Sequence, residues 1–512
     1  MRVENSIRNI IFGIGSQLIS TILAFFTRTV FIYVLGKQYL GIEGLLTNVL
    51  SLLSLANLGF ESAIIFSLYK PLRENREDEI KSYMCLYKKI YTIVGITTFI
   101  LGTLIIPILP SLINGDINIK ENINIIYFMF LINGSISYFY IYKQSILIAN
   151  QQNYIISKVH TYFLIISNVL QIITLIIFKA YIPVLTIQLI FRIIENITIS
   201  KFAEKEFPFL KDSSKYIELS SSKKRNLYKN VYSMLLYKIS GLIINSTDNL
   251  VISYFLGVIY VGIYSNYLMI VDMIKVFVNY LFFPITASVG NLVSSKEEEK
   301  KKFMYNQIFF TSFWIYGFCA ISLYILLNDF INIWIGKSYL LDKITVLVIV
   351  INFYTAGMQC ASTMYRDTTG MFSIGKYRPL IAAIINLIIS VLLAPSLKII
   401  GVLMGTIISR ICVYFWMDPY IIYKHVFNES CLKYFKKYFS YTFLILLIGI
   451  ITGKISDYLF LNDMYLNFFI KILICASVPN ILLWIIFKNN KHYLYIKDII
   501  NSFIKNGISI KH

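Results

Sequence analysis

Two ten-residue stretches of this chain share one pattern. Tyr33–Ile42 has the sequence YVLGKQYLGI, and Tyr254–Ile263 has the sequence YFLGVIYVGI. Six of the ten positions are identical when the two stretches are aligned, and in the same register Arg8-Asn9-Ile10 corresponds to Lys229-Asn230-Val231. Because glycines and tyrosines correspond as well as aliphatic residues, the pattern predicts an internal duplication of long period.

The two copies still correspond further along the chain, where the offset between equivalent residue numbers is slightly smaller. There Asn168 corresponds to Asn386, and Arg192 corresponds to Arg410. The change of register needs only one small loop deletion in the second copy. The sequence therefore predicts two copies of one six-helix unit, each with an arginine at the equivalent place.

The composition indicates a membrane protein. Of 512 residues, 57% are hydrophobic and 14% are charged, whereas soluble proteins have about 45–50% and about 25%. A soluble enzyme, a disordered chain and a secreted disulfide scaffold are excluded on these grounds. The six cysteines and four histidines are scattered, so neither a disulfide framework nor a metal site is expected.

The hydrophobic stretches are long enough to cross a bilayer, which takes about 20 apolar residues. Fourteen such spans are predicted, with cores at 9–35, 40–68, 89–112, 123–148, 155–178, 181–200, 231–256, 259–293, 304–328, 341–363, 378–397, 399–423, 438–456 and 464–487. The N-terminal stretch is too long for a signal peptide and is predicted to be a retained helix.

The distribution of basic residues predicts the orientation. If both termini are cytoplasmic, 34 of the 47 Lys and Arg residues lie on the cytoplasmic side, 7 lie outside and 6 lie within spans. Such an asymmetry follows the positive-inside rule. It also accounts for the net charge of +20, so nucleic-acid binding is not expected.

The predicted fold is all-α, with about 14 transmembrane helices. Both copies of the repeat begin on the same side, so they are related by an axis along the membrane normal. The predicted segments are an N-lobe at 1–200, a basic cytoplasmic linker at 201–223, a C-lobe at 224–428, and a helix pair with a basic tail at 429–512.

Three motifs carry a resemblance to a known family. They are the amphipathic start Ser6-Ile-Arg-Asn9, the turn Leu35-Gly36…Tyr39-Leu-Gly-Ile42 and the stretch Leu58-Gly59-Phe60. With the two lobes and the terminal helix pair, the chain resembles the polysaccharide (O-antigen-type) flippases of the MATE-like multidrug/oligosaccharidyl-lipid/polysaccharide (MOP) exporter superfamily. The resemblance implies alternating-access flipping of a polyprenyl-diphosphate-linked oligosaccharide, for lipopolysaccharide or another surface polysaccharide, with membrane lipids and other polysaccharide-assembly proteins as partners.

Charged residues within the spans are the candidate site. A charge at the bilayer centre costs at least about 2.5–3.5 kcal/mol and often marks a transport path. Phosphate suits the planar fork of arginine, so a cationic substrate cavity is predicted. Its members are Arg28, Arg192, Lys238, Lys275 and Arg410.

Some of these charges also have a purely structural interpretation. Arg192 with Glu195, and Asp272 with Lys275, have the i,i+3 spacing at which ions on one helix neutralise each other. Asp248 and Asp272 are candidates for coupling to a Na⁺ or H⁺ gradient, although Asp248 also suits a counter-ion role. No cofactor is expected.

Several functions remain as alternatives. No GxxxxGK[ST] motif is present, because Gly336-Lys337-Ser338 is only its tail. The short outside loops argue against a membrane-embedded glycan polymerase or glycosyltransferase, and an enzyme is not expected. A multidrug exporter of the MATE type carries cations and should have an acidic cavity. A flippase for lipid II, the peptidoglycan precursor, fits the charges equally well.

Overall fold

The fold is described from a computed structural model that covers residues 2–53, 60–112, 119–210, 219, 225, 246–293, 297–369, 375, 377–459 and 463–506. These residues form helices and contain no strand. The α-helices are α1 (Arg2–Leu35), α2 (Lys37–Leu53), α3 (Phe60–Arg73), α4 (Glu77–Ile105), α5 (Leu109–Leu112), α6 (Ile123–Ile136), α7 (Tyr138–Ala149), α8 (Asn153–Phe178), α9 (Tyr181–Glu206), α10 (Val258–Val293), α11 (Glu298–Ile335), α12 (Lys343–Gly357), α13 (Cys360–Thr369), α14 (Arg378–Leu397), α15 (Ile399–Cys412), α16 (Tyr414–His425), α17 (Leu432–Tyr458), α18 (Met464–Phe487) and α19 (Lys491–Asn506). Residues 246–256 are also helical, and 3₁₀ turns lie at Ile106–Ile108, Pro208–Leu210 and Lys337–Tyr339.

The helices agree with the predicted membrane spans. Twelve helical segments of the described chain are long and apolar enough to cross a bilayer. The other two predicted spans, 40–68 and 231–256, fall partly outside the described residues. The all-α membrane fold is therefore confirmed, and the chain is a multi-pass membrane protein.

The internal repeat is visible in the helix boundaries. Gly36 and Gly257 end corresponding helices with φ of 81° and 97°, a left-handed conformation that favours glycine. Helices α4 and α11 begin at Glu77 and Glu298, which correspond in the register of the first motif. Helices α9 and α15 begin at Tyr181 and Ile399, which correspond in the shorter register of the two arginines. Both sequence registers thus reappear as equivalent structural positions.

The described chain divides into two compact units, 1–265 with 394–398, and 266–393 with 399–512. In the first unit, α1 packs along α8, and α4 packs on α6 and α7. Its interior holds tyrosines at 87, 91 and 127. The Tyr127 hydroxyl donates to the carbonyl of Gly102 at 2.8 Å, which satisfies a polar group that neither lipid nor water can reach.

The two copies of the repeat motif meet within the first unit. A Cβ placed on Gly41 would overlap the carbonyl oxygen of Val258. A Cβ placed on Gly262 would lie 2.7 Å from the carbonyl oxygen of Lys37. Since Gly41 corresponds to Gly262 and Lys37 to Val258, the contact is reciprocal: each glycine admits the backbone of the other copy.

The second unit is built on α11, which packs against α12, α13, α17 and α18. Aromatic rings fill one end of this helix, where Tyr305 meets Tyr365, Tyr423 and Phe427 edge to face at 5.2–5.7 Å. The Tyr305 and Ser362 hydroxyls are hydrogen-bonded at 2.7 Å. The predicted lobes at 1–200 and 224–428 stay a prediction, because most of the linker lies outside the described residues.

Candidate functional site: charged side chains within the spans

Arg28 joins three helices of the first unit. Its Nη1 lies 3.2 Å from a carboxylate oxygen of Glu43 on α2. Its Nη2 donates to the hydroxyl of Ser265 on α10 at 2.5 Å. Arg28 is therefore held by a carboxylate from one copy of the repeat and a hydroxyl from the other, so its charge is partly neutralised.

Tyr181 lies beside this ion pair, and aromatic rings and a second carboxylate hold Tyr181 in place. The Tyr181 ring meets Phe31 and Tyr39 edge to face, at 5.1 and 5.9 Å. Glu121 accepts the backbone N–H of Tyr181 at 2.7 Å and also accepts the Tyr39 hydroxyl. The start of α9 is thus fixed to the motif of the first repeat by hydrogen bonds as well as by ring packing.

Arg410 is hydrogen-bonded within the second unit. From α15 its Nη1 donates to the carbonyl oxygen of Asn352 at 3.0 Å, the side-chain oxygen of Asn352 at 3.3 Å and the Thr355 hydroxyl at 2.7 Å. Arg410 is half-buried. These bonds tie α15 to α12 through neutral acceptors, and no carboxylate appears among them.

Arg192, the repeat equivalent of Arg410, is arranged differently. Its side chain is exposed and makes no hydrogen bond or ion pair within the described part of the chain. The i,i+3 pairing with Glu195 is not formed, because Glu195 lies 2.8 Å from Nδ1 of His160 on α8. The duplication therefore preserves the position of the arginine but not its surroundings.

The remaining predicted site residues differ in what the structure shows of them. Lys275 and Asp272 form the i,i+3 ion pair at 2.9 Å, in which Asp272 is exposed and Lys275 is half-buried. Asp248 is half-buried in the helical segment 246–256. Lys238 lies outside the described residues. The common cavity predicted for these cations stays a prediction.

The sequence analysis missed a buried cluster in the second unit. Asp418 on α16 is 1% exposed and lies 3.3 Å from Nη1 of Arg366, and it also contacts Arg378. Asp367 binds Nη2 of Arg366 at 2.8 Å. Asp418 has no basic residue three or four positions away, and this isolation was the available signal of a distant partner.

The cluster is not evident from the sequence, because both arginines lie at the predicted cytoplasmic side. Arg366 lies between the predicted spans 341–363 and 378–397, and Arg378 is the first residue of the second span. In the structure they belong to α13 and α14, and both are buried. The cluster has equal numbers of arginines and aspartates, and its ion pairs join α13, α14 and α16.

Comparison with known proteins identifies the fold. No protein-family model matches the chain, and no curated protein matches it with significance. Among solved structures, "Lipid II flippase MurJ, inward closed conformation" superposes with a TM-score of 0.66 at 17% identity, covering 94% of this chain and 99% of MurJ. An inward-facing multidrug resistance MATE family transporter of the MOP superfamily gives 0.58 at 14% identity, covering 77% of this chain and 93% of its own.

A third structure agrees with these two. A mutant of the Vibrio cholerae MATE transporter VcmN gives a TM-score of 0.54 at 12% identity and covers 84% of this chain and 99% of its own. The protein therefore has the all-helical membrane fold of MurJ and of the MATE transporters of the MOP superfamily.

Proposed function

We propose that the protein is a flippase that moves a polyprenyl-diphosphate-linked oligosaccharide across the cytoplasmic membrane for surface polysaccharide synthesis, with both termini in the cytoplasm. It acts as a transporter and not as an enzyme. The fold supports this proposal, because MurJ is named as a lipid II flippase and the MATE structures as transporters.

The depth and the exposure of Arg192 are the main support for the proposal. It lies about three turns beyond Tyr181, where α9 begins, which is roughly 16 Å along the helix. Its side chain is exposed without an ionic partner among the described residues. A guanidinium at this depth is costly against hydrocarbon, so we assign Arg192 to a polar path, where a diphosphate would offer it paired acceptors.

The lipid II flippase remains the second candidate, on one specific observation. MurJ covers 94% of this chain, whereas the two MATE transporters cover 77% and 84%. The MurJ match thus extends over nearly the whole chain. A multidrug exporter of cations is less favoured, because an arginine in the path would repel its substrate.

Binding experiments on the purified protein separate the candidates. The probes are a polyprenyl-diphosphate oligosaccharide, lipid II and a lipophilic cation, compared by native mass spectrometry. We expect the oligosaccharide lipid to bind, and Arg192→Ala to weaken this binding roughly 10- to 100-fold, the equivalent of one charge-assisted hydrogen bond. The matched control is Lys454→Ala, because Lys454 is an exposed lysine at the predicted outer end of α17. This variant should bind the oligosaccharide lipid normally.

The two alternative results would each indicate another function. Preferential binding of lipid II would replace the proposal by the peptidoglycan precursor flippase. Binding of the cation alone would indicate a multidrug exporter. Coupling to Na⁺ or H⁺ through Asp248 or Asp272 stays a separate prediction, and transport into vesicles with and without each gradient measures it.

A further inference from the structure

The C-terminal helix α19 packs against the start of α11. The backbone carbonyl of His492 accepts from Nε2 of Gln307 at 3.1 Å, and Nδ1 of His492 lies 3.0 Å from Oε1 of Gln307. The Phe303 ring contacts His492 and Tyr495 at 5.2 and 5.3 Å. This docking brings the lysine at the first position of α19 next to the beginning of α11.

Three lysines lie where α11, α17 and α19 meet: Lys302 on α11, Lys437 on α17 and Lys491 on α19. We call this group the lysine junction. Nζ of Lys437 donates to the side-chain oxygen of Asn306 at 2.7 Å. Nζ of Lys491 lies 5.8 Å above the Phe303 ring. The charges of Lys302 and Lys491 both act on Lys437, so the ammonium group of Lys437 is repelled from two sides.

The junction has less negative charge than positive charge. Glu429 pairs with Lys302 and also lies 3.1 Å from Lys433. Within the described residues, it is the one carboxylate at ion-pair distance from these four lysines. Counted together with the neighbouring Lys433, four ammonium groups face one carboxylate, an excess of three positive charges that an anionic ligand would balance.

His492 lies beside these lysines, and its pKa reflects their positive charge. Burial and the neighbouring Lys437 and Lys491 lower the pKa of His492 to about 4. His492 is therefore neutral at physiological pH and adds no charge to the junction. Its neutrality leaves the three lysines as the cations that would meet a ligand.

The surroundings indicate an amphiphilic anion. Trp484, near the end of α18, is an exposed aromatic side chain, and Ile481 and Ile485 beside it are exposed as well. Lys488 lies 5.8 Å above the Trp484 ring. Aromatic and lysine side chains together are typical of the membrane–water interface, where basic pockets between helices bind lipid headgroups.

We propose that the lysine junction is a binding site for the phosphate of an anionic phospholipid, with the acyl chains against the exposed apolar face of α18. The site is built from the second unit alone and includes no residue assigned to the transported substrate, so it does not depend on the proposed function. Lipid bound there would join α11, α17 and α19.

Lipid binding to the full-length protein in detergent tests the site. Phosphatidylglycerol should raise the midpoint of thermal unfolding, whereas phosphatidylcholine should not. Lys437→Gln and Lys491→Gln should each weaken phosphatidylglycerol binding about fivefold, the value of one lysine near an anionic lipid. Lys437→Arg keeps the charge and should retain binding, which separates loss of the site from misfolding.

The control is Lys424→Gln, which removes the same charge at the same predicted side of the membrane. Lys424 is exposed on α16 and donates to Tyr420 of its own helix at 2.9 Å, so its loss should leave lipid binding unchanged. Equal weakening by Lys424→Gln would overturn the proposal. So would equal stabilisation by inorganic phosphate or by polyprenyl phosphate at the same concentration.

Discussion

Among single residues, Arg192 and Arg410 offer a paired experiment. Arg410 donates to α12, so Arg410→Ala should destabilise the protein by about 1–3 kcal/mol, because half-buried acceptors lose their donor. Arg192 has no such bonds in the described chain, and Arg192→Ala should leave the unfolding midpoint unchanged while glycan export is lost. Thermal unfolding and export are measured on both variants.

Lysine in place of Arg192 refines this test. Arg192→Lys keeps the charge but loses the planar fork, so export should be partial. If Arg192→Ala instead unfolds the protein, or exports normally, Arg192 is not a substrate-binding residue.

The buried cluster around Asp418 should be a strong determinant of stability. Asp418→Asn leaves Arg366 and Arg378 buried without their shared carboxylate. Removing one partner of a buried ion pair costs about 3–5 kcal/mol. The control is Lys300→Gln, which breaks an exposed pair with Glu297 outside the spans worth about 0–1 kcal/mol. Similar unfolding midpoints for the two variants would show that the cluster is not a stabilising element.

At the scale of the helices, the contact between the two repeat motifs can be tested by substituting its glycines. Gly41→Ala and Gly262→Ala each place a methyl group against the backbone of the other copy. Overpacking of this kind costs about 1–3 kcal/mol, so both variants should unfold at lower temperature.

Gly15 provides the matched control, since a Cβ added there meets nothing within 4 Å. Gly15→Ala should be neutral or slightly stabilising, because alanine is the better helix former by up to about 1 kcal/mol. Destabilisation at only one of the two motif glycines would contradict the reciprocal contact.

For the protein in its membrane, the prediction concerns orientation. Single cysteines are introduced at Ser338, in the turn after α11, and at Ser430, before α17; both positions are exposed. In a background without the six native cysteines, a membrane-impermeant maleimide should label Ser338→Cys in intact cells and Ser430→Cys only after lysis. The reverse pattern would overturn the positive-inside assignment.

The class of fold could be predicted from composition and pattern. The composition required a membrane, and the apolar stretches predicted the twelve spans seen in the described chain. The internal repeat was predicted as well, and its two registers reappear in the structure, where Glu77 and Glu298 begin helices, as do Tyr181 and Ile399. These features are local or periodic, so they can be found without tertiary information. The candidate cations were also visible, because a charge in an apolar span is conspicuous.

The partner of each charge, in contrast, depended on how the helices pack. Glu43 pairs with Arg28, His160 replaces Arg192 beside Glu195, and Asp418 gathers Arg366 and Arg378. These partners are far apart in the sequence or lie at the predicted cytoplasmic side. In a membrane helix, the face toward lipid and the face toward protein are both apolar, so hydrophobic periodicity does not show which side chains meet. Only the packing of the helices brings each ion to its partner.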